Sequence, residues 1–226
     1  MSYAELLARI PLFESLPREE LEHLSTLMTS RRYVRGEVIF HQGDVGTALH
    51  ILRRGQVAIR LSSSEGKEVI LALLERGDFF GELALLDGAP RSTDAVAREE
   101  VEVLRLRRED FQRYLAIRPQ VALGLLTTLS RLVRRVTQIV HDTTFLDARA
   151  RLVRVLLDLA QHVGRPGPEG VVIAQKLTQT ELANLCGLTR ESANKWLRFF
   201  VREGLVSYEG GQITLVHPEQ LGREVE

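Results

Sequence analysis

The residues best suited to chemistry are concentrated in one short stretch, from Gly77 to Ala95. Within it, Arg91 directly precedes two hydroxyl side chains, Ser92 and Thr93. A planar guanidinium with a fork of N–H donors, small hydroxyls and backbone amides are the groups that bind a phosphate. The stretch therefore predicts a pocket for a small phosphorylated ligand, and the alternative is a turn with a surface arginine.

The same stretch holds a lone carboxylate. Glu82 stands between Gly81 and Leu83, at a point where a glycine allows a tight turn or a close approach of the backbone to a ligand. A carboxylate beside a phosphate pocket is suited to the hydroxyls of a sugar. These residues extend the prediction to a ligand that carries both a sugar and a phosphate.

Composition excludes several classes of protein. The 226 residues are 44% apolar and 27% charged with no net charge, so any basic surface for nucleic acid must be local. The single cysteine, Cys186, excludes an intrachain disulfide and a four-cysteine metal site. The start lacks the pattern of a signal peptide, and no apolar run is long enough for a membrane span. We expect a soluble cytoplasmic protein without a membrane partner.

The elements that must position these residues begin with a region of short strands, residues 31–106. Glycines recur there every nine to eleven residues and separate short segments rich in Val, Ile, Leu and Phe. Short strands at regular spacing with turn signals predict an all-β sandwich or barrel. The polar stretch Gly77–Ala95 interrupts this rhythm, at the point where such a barrel would open for a ligand.

A long helix is predicted from Val121 to about His141. Its apolar residues step by four and three, which is the seam of a coiled coil, and they are Leu125, Leu129, Leu132, Val136 and Ile139. This narrow stripe favours a symmetric dimer. The alternative is a helix laid on its own β domain.

The remaining chain predicts a winged helix. The elements are a hinge at 142–147, a helix at 148–162, a breaker segment at 164–170, a strand at 171–173, two helices with a turn at Gly187, and a hairpin across residues 209–211. Thr189 can cap the second helix of the pair, which spans 190–203. An ordinary helical hairpin with a solvated face is the alternative.

The second helix of the pair carries residues that can read DNA. Arg190 and Glu191 lie in its first turn, where Arg can pair with guanine and Glu can accept from cytosine, and Lys195 follows one turn later. The full set of candidate DNA contacts is Thr178, Thr189, Arg190, Glu191, Ser192, Asn194 and Lys195.

This order of elements resembles the bacterial family of the cyclic AMP receptor protein and the fumarate–nitrate reduction regulator over essentially the whole chain. The matching signatures are Gly43, Leu49, Gly55, Gly77–Leu83, Arg91–Ser92, Phe145–Asp147 and Thr189–Ser192. The resemblance implies an α+β fold with a cyclic-nucleotide-binding-like β-roll (jelly roll) at 1–108, a dimerisation helix and hinge at 109–146, and a winged helix-turn-helix at 147–226.

The resemblance also implies roles for residues of the pocket. Gly81 and Glu82 would meet the ribose of cyclic AMP, the expected allosteric effector. Arg91 and Ser92 would hold its cyclic phosphate. No metal is implied.

The base of the nucleotide would contact the dimerisation helix at positions that match Val136 and Thr137. Thr137 can hydrogen-bond an exocyclic amine, whereas Val136 cannot, which leaves base selectivity and nucleotide dependence open.

For the DNA-binding helix, Arg190, Glu191 and Lys195 match the Arg-Glu-x-x-x-Arg pattern of the cyclic AMP branch, with Lys in place of the last Arg. A palindrome of TGTGA-like half-sites is the expected target. The expected partners are double-stranded DNA, a second copy of the chain and RNA polymerase.

Other functions stay open at this stage. The same regulator could act without an effector, controlled by its abundance, or bind a different small ligand. A remote alternative is a metal enzyme of cupin type, which needs several converging histidines. Only His41 and His50 lie in the β region. A cyclic-nucleotide module of a channel or kinase is disfavoured by the winged helix.

Overall fold

The computed structural model of the chain describes residues 2–223, and its contacts divide them into two units. The first unit comprises the residues up to Lys67 and Leu71–Arg135, and the second comprises Glu68–Ile70 and the residues from Val136 onward. The helix α5 (Pro119–Phe145) carries the chain from the first unit into the second.

The strands before Arg108 form two four-stranded sheets, which lie in the first unit except for Glu68–Ile70, the first three residues of one strand. One has the order β1-β8-β3-β6, formed by Thr29–Tyr33, Val101–Arg107, Ala48–Arg54 and Phe79–Phe80. The other has the order β2-β7-β4-β5, formed by Val38–Phe40, Asp94–Ala97, Val57–Ser62 and Glu68–Leu74. One apolar cluster joins them, with Leu52 and Val103 from the first sheet and Phe40 and Val57 from the second. The sheets therefore enclose a core, as a β-roll does.

Helices cover the outer face of the first sheet. They are α1 (Tyr3–Leu7), α2 (Arg18–Thr26), α4 (Arg108–Ile117) and the first half of α5, while the short α3 (Leu83–Asp87) follows β6. Leu49 and Ile51 point to this side because side chains alternate along a strand, and they pack in one cluster with Phe13, Phe111 and Val121. Arg118 donates two hydrogen bonds of 2.6 Å to the carboxylate of Glu20 at the edge of this layer.

Part of the apolar stripe that predicts a dimer seam on α5 packs within the chain itself. Leu125 is 4% exposed in the core of its own unit, and the half-buried Leu129 packs against that core. Leu132 and Ile139 are half-buried, and Val136 is exposed. One face of the first half of the helix therefore covers the first sheet, while the seam itself stays a prediction.

A different stripe of α5 is exposed. Its large apolar members are Leu123, Leu126, Val133 and Val140, each between 57% and 65% exposed. With Ser130 and Thr137 they recur in steps of three and four residues, which is the pattern of a coiled-coil seam.

The second unit is a winged helix-turn-helix. It contains α6 (Ala148–Val163), α7 (Gln179–Cys186), α8 (Arg190–Arg202), α9 (Pro218–Gly222) and a sheet of order β11-β12-β10-β9, formed by Val206–Glu209, Gln212–Leu215, Gly170–Ile173 and Gly164–Gly167. Gly187 adopts a left-handed φ of 59° and ends α7, as the turn between the two helices requires. The predicted fold class, a β-roll followed by a long helix and a winged helix, is confirmed.

Two local predictions are refined, although the predicted end of α6 before Gly164 is confirmed. The predicted hinge at 142–147 is shorter, because α5 stays helical to Phe145 and only Leu146 and Asp147 lie between it and α6. The predicted breaker segment contains β9, which pairs with β10 in a hairpin. Its Gly and Pro residues form an edge strand, where a missing N–H donor is tolerated.

Candidate functional site

Arg91 is held by its backbone before its side chain makes any contact. Its N–H donates to the carbonyl of Asp44 at 2.8 Å, and its carbonyl accepts from the N–H of Gly43 at 2.9 Å. Gly46 continues the same loop, and a Cβ there would lie 3.4 Å from the Arg91 guanidinium carbon and 2.5 Å from the Ala84 side chain. The loop 43–46 therefore fixes the start of the Arg91 side chain.

The Arg91 guanidinium lies inside the first unit with only 5% of the residue exposed. Nη2 donates to the carbonyl of Ala48 at 2.7 Å, and Nη1 donates to the carbonyl of Gly81. The guanidinium carbon is 4.3 Å from the ring centroid of Phe40. Carbonyl dipoles and an aromatic face orient the positive charge but do not neutralise it, so an anion would still be attracted there.

Gly81 and Glu82 meet Arg91 in the structure, as the sequence predicted for a common pocket. Gly81 has a φ of 81°, and a side chain there would collide with Arg91 Nη1. Glu82 is 8% exposed, and burial raises the pKa of its carboxyl, while its own backbone amide and the charge of Arg91 oppose that rise. The carboxyl oxygens can therefore accept from a sugar hydroxyl, and the site contains one buried cation beside one buried carboxyl.

We expect Glu82→Gln to stabilise the chain at neutral pH while it weakens effector binding. Burial raises the folded-state pKa of the carboxyl, so Glu82 favours folding at low pH and this contribution is lost as pH rises through that pKa. Glutamine removes the buried charge and also removes the carboxylate acceptor. Urea unfolding at pH 5 and pH 8 should show a gain that is larger at pH 8, and a smaller gain at pH 8 would contradict the assignment.

Phe40, which contacts the guanidinium, belongs to a cluster of three aromatic rings that sequence reasoning did not identify as part of the site. The His50 ring stacks on Phe80 with centroids 5.2 Å apart, and Phe40 lies 5.6 Å from His50 and 5.9 Å from Phe80. Burial, and then the charges of Arg91, Arg105 and Arg31, lower the pKa of His50 to about 3. His50 is therefore a neutral member of an aromatic stack at neutral pH.

His50 should make the chain sensitive to mild acid. A depressed pKa stabilises the fold above the ordinary pKa of 6.5, and this stability is lost as pH falls from there towards 3. Between pH 7.5 and 5.5 the loss from this residue is about 1.4 kcal/mol. His50→Phe, which keeps the stack, should lose less stability by about that amount in urea unfolding, and His23→Phe at an exposed histidine serves as the comparison. Parallel pH curves for His50→Phe and parent would refute the assignment.

Asp94 is a second buried acid that sequence reasoning missed. It accepts from the N–H of Gln42 at 2.8 Å and from the hydroxyl of Ser62 at 3.1 Å, with Arg60 Nε at 3.5 Å and His41 Nδ1 at 3.6 Å. Burial raises its pKa, but these partners together lower it below the usual range. Asp94 thus anchors the strand that follows the Arg91 turn, and its surroundings identify it as structural.

The other predicted pocket residues are distributed as follows. Leu83 and Thr93 are half-buried, and Ser92 is exposed directly after Arg91. Thr137 is exposed on α5, in the part of that helix that belongs to the second unit.

Across residues 2–223, no group of three or more His, Cys, Asp or Glu side chains is arranged to hold a metal ion. Over the same residues, no helix combines the length and apolar character that a membrane crossing needs.

The α8 helix exposes the side chains predicted to read DNA. Thr189 caps it by accepting from the Ser192 N–H at 3.2 Å, and Arg190, Glu191 and Lys195 are exposed. The opposite face is apolar, with Ala193, Leu197 and Phe200 buried among the helices of the unit. An exposed basic face on a firmly packed helix can enter a major groove.

The remaining predicted contacts differ in their surroundings. Thr178 caps α7 in a capping box with Glu181. Asn194 donates to the Gln179 side chain at 2.7 Å, which ties α8 to the start of α7. The Lys195 ammonium lies 5.0 Å from the ring centroid of Trp196.

Comparison with known proteins agrees with this geometry. A cyclic nucleotide-binding domain matches residues 30–118, and a Crp-like helix-turn-helix domain matches residues 150–224. The chain is 32% identical to the CRP-like cAMP-activated global transcriptional regulator of Mycobacterium tuberculosis over 219 residues, which are 97% of this chain and 98% of that protein. It is 35% identical to the cyclic AMP receptor protein of Thermus thermophilus over 90% of this chain and 91% of that protein.

A solved structure shares the fold. The c-di-GMP responsive global regulator CLP of Xanthomonas campestris matches with a TM-score of 0.79 at 24% identity, over 89% of this chain and all of that one. The chain therefore belongs to the family of the cyclic AMP receptor protein and the fumarate–nitrate reduction regulator: it is a DNA-binding transcription regulator with a cyclic nucleotide-binding domain.

Proposed function

We propose that this chain is a homodimeric regulator whose affinity for DNA is set by cyclic AMP bound in the β-roll. The observation that carries the proposal is the Arg91 guanidinium, which is buried and held by two neutral carbonyls and one ring, so that the nearby Glu82 carboxyl offsets its charge only from a distance. Its Nε is also buried without a hydrogen-bond partner among the described residues, and a cyclic phosphate would satisfy both needs.

In the proposed complex, Arg91 and the exposed hydroxyl of Ser92 bind the cyclic phosphate. Glu82 accepts from the ribose 2′-hydroxyl, beside the glycine backbone of Gly81. Thr93 and Leu83, which flank these residues, complete the ligand-contact set. The names of the two relatives support cyclic AMP as the effector, since both are described by it.

The base is the least determined part of the proposal. By the family resemblance it would be read from α5 by Thr137, with Val136 beside it offering no hydrogen-bond group. The second candidate function, a regulator that needs no effector, is favoured by this valine. A different cyclic nucleotide as effector is a further alternative, because the similar regulator CLP of Xanthomonas campestris is described as responsive to c-di-GMP.

The proposed dimer uses the exposed stripe of α5. Four large apolar side chains between 57% and 65% exposed are too many for one helix face to leave in water without a partner. Two copies packed along this stripe would place two α8 helices about 34 Å apart on one face of DNA.

The proposed DNA target is a palindrome of TGTGA-like half-sites. Arg190 would pair with guanine, Glu191 would accept from cytosine, and Lys195 would contact a guanine or a phosphate. Because Lys lacks the planar fork of Arg, discrimination at its base pair should be relaxed. Thr178, Thr189, Ser192 and Asn194 would position the helices on the backbone.

The proposed domain organisation is an effector domain at 1–108, a dimerisation helix and hinge at 109–146, and a DNA-binding domain at 147–226. RNA polymerase is the proposed further partner, and the cytoplasm the proposed place of action.

Isothermal titration calorimetry of the full chain with cyclic AMP and with cyclic GMP tests effector binding directly. Saturable binding of cyclic AMP at one site per chain supports the proposal. Binding of neither nucleotide, combined with sequence-specific DNA binding, would favour the effector-independent regulator.

A further inference from the structure

Leu146 and Asp147 separate α5 from α6. Two arginines that follow them in α6, Arg149 and Arg151, contact the helix-turn-helix. Asp147 caps α6 by accepting from the Ala150 N–H at 2.8 Å, so the first turn of α6 is fixed to this break in the helix. Arg149 and Arg151 both belong to that turn or the next, and both point towards the helix-turn-helix.

Arg149 contacts α8 through an aromatic ledge, which we define as Trp196, Phe199 and Phe200. Its guanidinium carbon lies 5.0 Å from the ring centroid of Phe199 and 5.8 Å from those of Trp196 and Phe200. The rings also touch one another, with Phe199 5.8 Å from Trp196 and 5.4 Å from Phe200 at nearly perpendicular angles. One cation of α6 thus contacts three aromatic rings on the helix that carries Arg190 and Glu191.

A second contact joins the same end of α6 to the turn between α7 and α8. Arg151 Nη1 donates to the carbonyl of Gly187 at 3.3 Å. A Cβ built on Gly187 would also lie 3.8 Å from the Thr143 methyl group on the last turns of α5. The turn before α8 therefore lies close to residues on both sides of the Leu146–Asp147 break. The rings of α8 contact Arg149, which follows the break.

We propose that Arg149 is a positioning residue for DNA reading. Through the aromatic ledge it sets the orientation of α8 relative to α6. A guanidinium can lie flat on several rings at once, whereas lysine offers a point charge on a flexible stem. Shifting α8 by a small angle moves Arg190 and Glu191 relative to base edges but leaves the general attraction to phosphates nearly unchanged. Arg149 would therefore act on sequence discrimination rather than on non-specific affinity. This inference rests on the proposed role of α8 in reading DNA.

The test compares Arg149→Met, Arg149→Lys and a matched control, Arg154→Met, in the full-length chain. Arg154 is an exposed arginine on the same helix, so its replacement removes the same charge without touching the ledge. A duplex is first selected from a random pool by the parent chain in the presence of cyclic AMP. Fluorescence anisotropy then gives the affinity of each variant for that duplex and for an unrelated one at fixed salt.

We expect Arg149→Met to reduce the ratio of specific to non-specific affinity by about tenfold, within the range that a coupled residue produces. Arg149→Lys should recover only part of that ratio, and Arg154→Met should match the parent. Trp196 is the only tryptophan of the chain, so its emission should change in Arg149→Met and not in Arg154→Met.

Two results would overturn the inference, and they are distinguishable. If the parent selects a duplex and Arg149→Met leaves the ratio of specific to non-specific affinity unchanged, the contact is merely structural. Failure of the parent to select any sequence would overturn the DNA-reading role of α8, and the inference with it.

Discussion

Arg91→Ala is expected to weaken cyclic AMP binding by about thirtyfold or more, because losing one partner of a buried charged hydrogen-bond pair costs about 2–5 kcal/mol. The residue is 5% exposed and already aligned by the carbonyls of Ala48 and Gly81. Because contacts within the chain already hold the guanidinium, little ordering cost remains to be met on binding. Calorimetry of the purified variant with cyclic AMP measures the loss.

Two further variants make this result specific to the guanidinium fork. Arg91→Lys keeps the charge and should bind between parent and alanine variant, because an ammonium cannot make the bidentate contact. Arg35→Ala removes an exposed arginine of the same unit and should bind as the parent does. Equal affinity of Arg91→Ala and parent would show that any ligand is bound elsewhere.

Val133→Glu is expected to convert the proposed dimer to a monomer. The affinity for a palindromic duplex should then fall by about a hundredfold or more, since that is the gain from linking two binding modules. Val133 is 65% exposed at the middle of the α5 stripe, so a charge there is tolerated in the single chain but would be buried in the dimer. Sedimentation velocity and anisotropy measure the two effects.

The matched control is Val34→Glu, the same change at a valine that is 68% exposed in the turn before β2. It should leave both the oligomeric state and the DNA affinity unchanged. A Val133→Glu chain that still sediments as a dimer would place the interface outside the exposed stripe.

Sequence reasoning identified the winged helix well because its signals are local. Thr189 and Thr178 cap their helices through contacts three residues away, and Gly187 supplies the left-handed turn, so each feature can be read within a few residues. Arg190, Glu191 and Lys195 followed from this register, and the structure exposes all three.

The register of the α5 stripe could not be settled in the same way. Two neighbouring faces of the helix both carry apolar residues in steps of three and four. Only the packing of Leu125 into the core formed by distant residues such as Phe13 decides which face is internal. Periodicity shows that a helix has an apolar face, but tertiary contacts determine what covers it.

The β1 strand was missed for a related reason. Of its five residues only Tyr33 is buried, so the segment lacks the alternation that indicates a strand. Its pairing with β8, which lies about seventy positions later, gives it its structure. The support of Arg91 by Ala48 and Phe40, and of α8 by Arg149, is equally non-local, and no spacing in the sequence points to it.

The most direct test of the central claim is the affinity of the full-length chain for its selected palindromic duplex, measured by anisotropy with and without saturating cyclic AMP. We predict that cyclic AMP tightens DNA binding by about tenfold or more, which is within the usual range of allosteric coupling. Arg91→Ala should abolish this difference. Equal affinity with and without the nucleotide in the parent chain would contradict effector control through the Arg91 pocket.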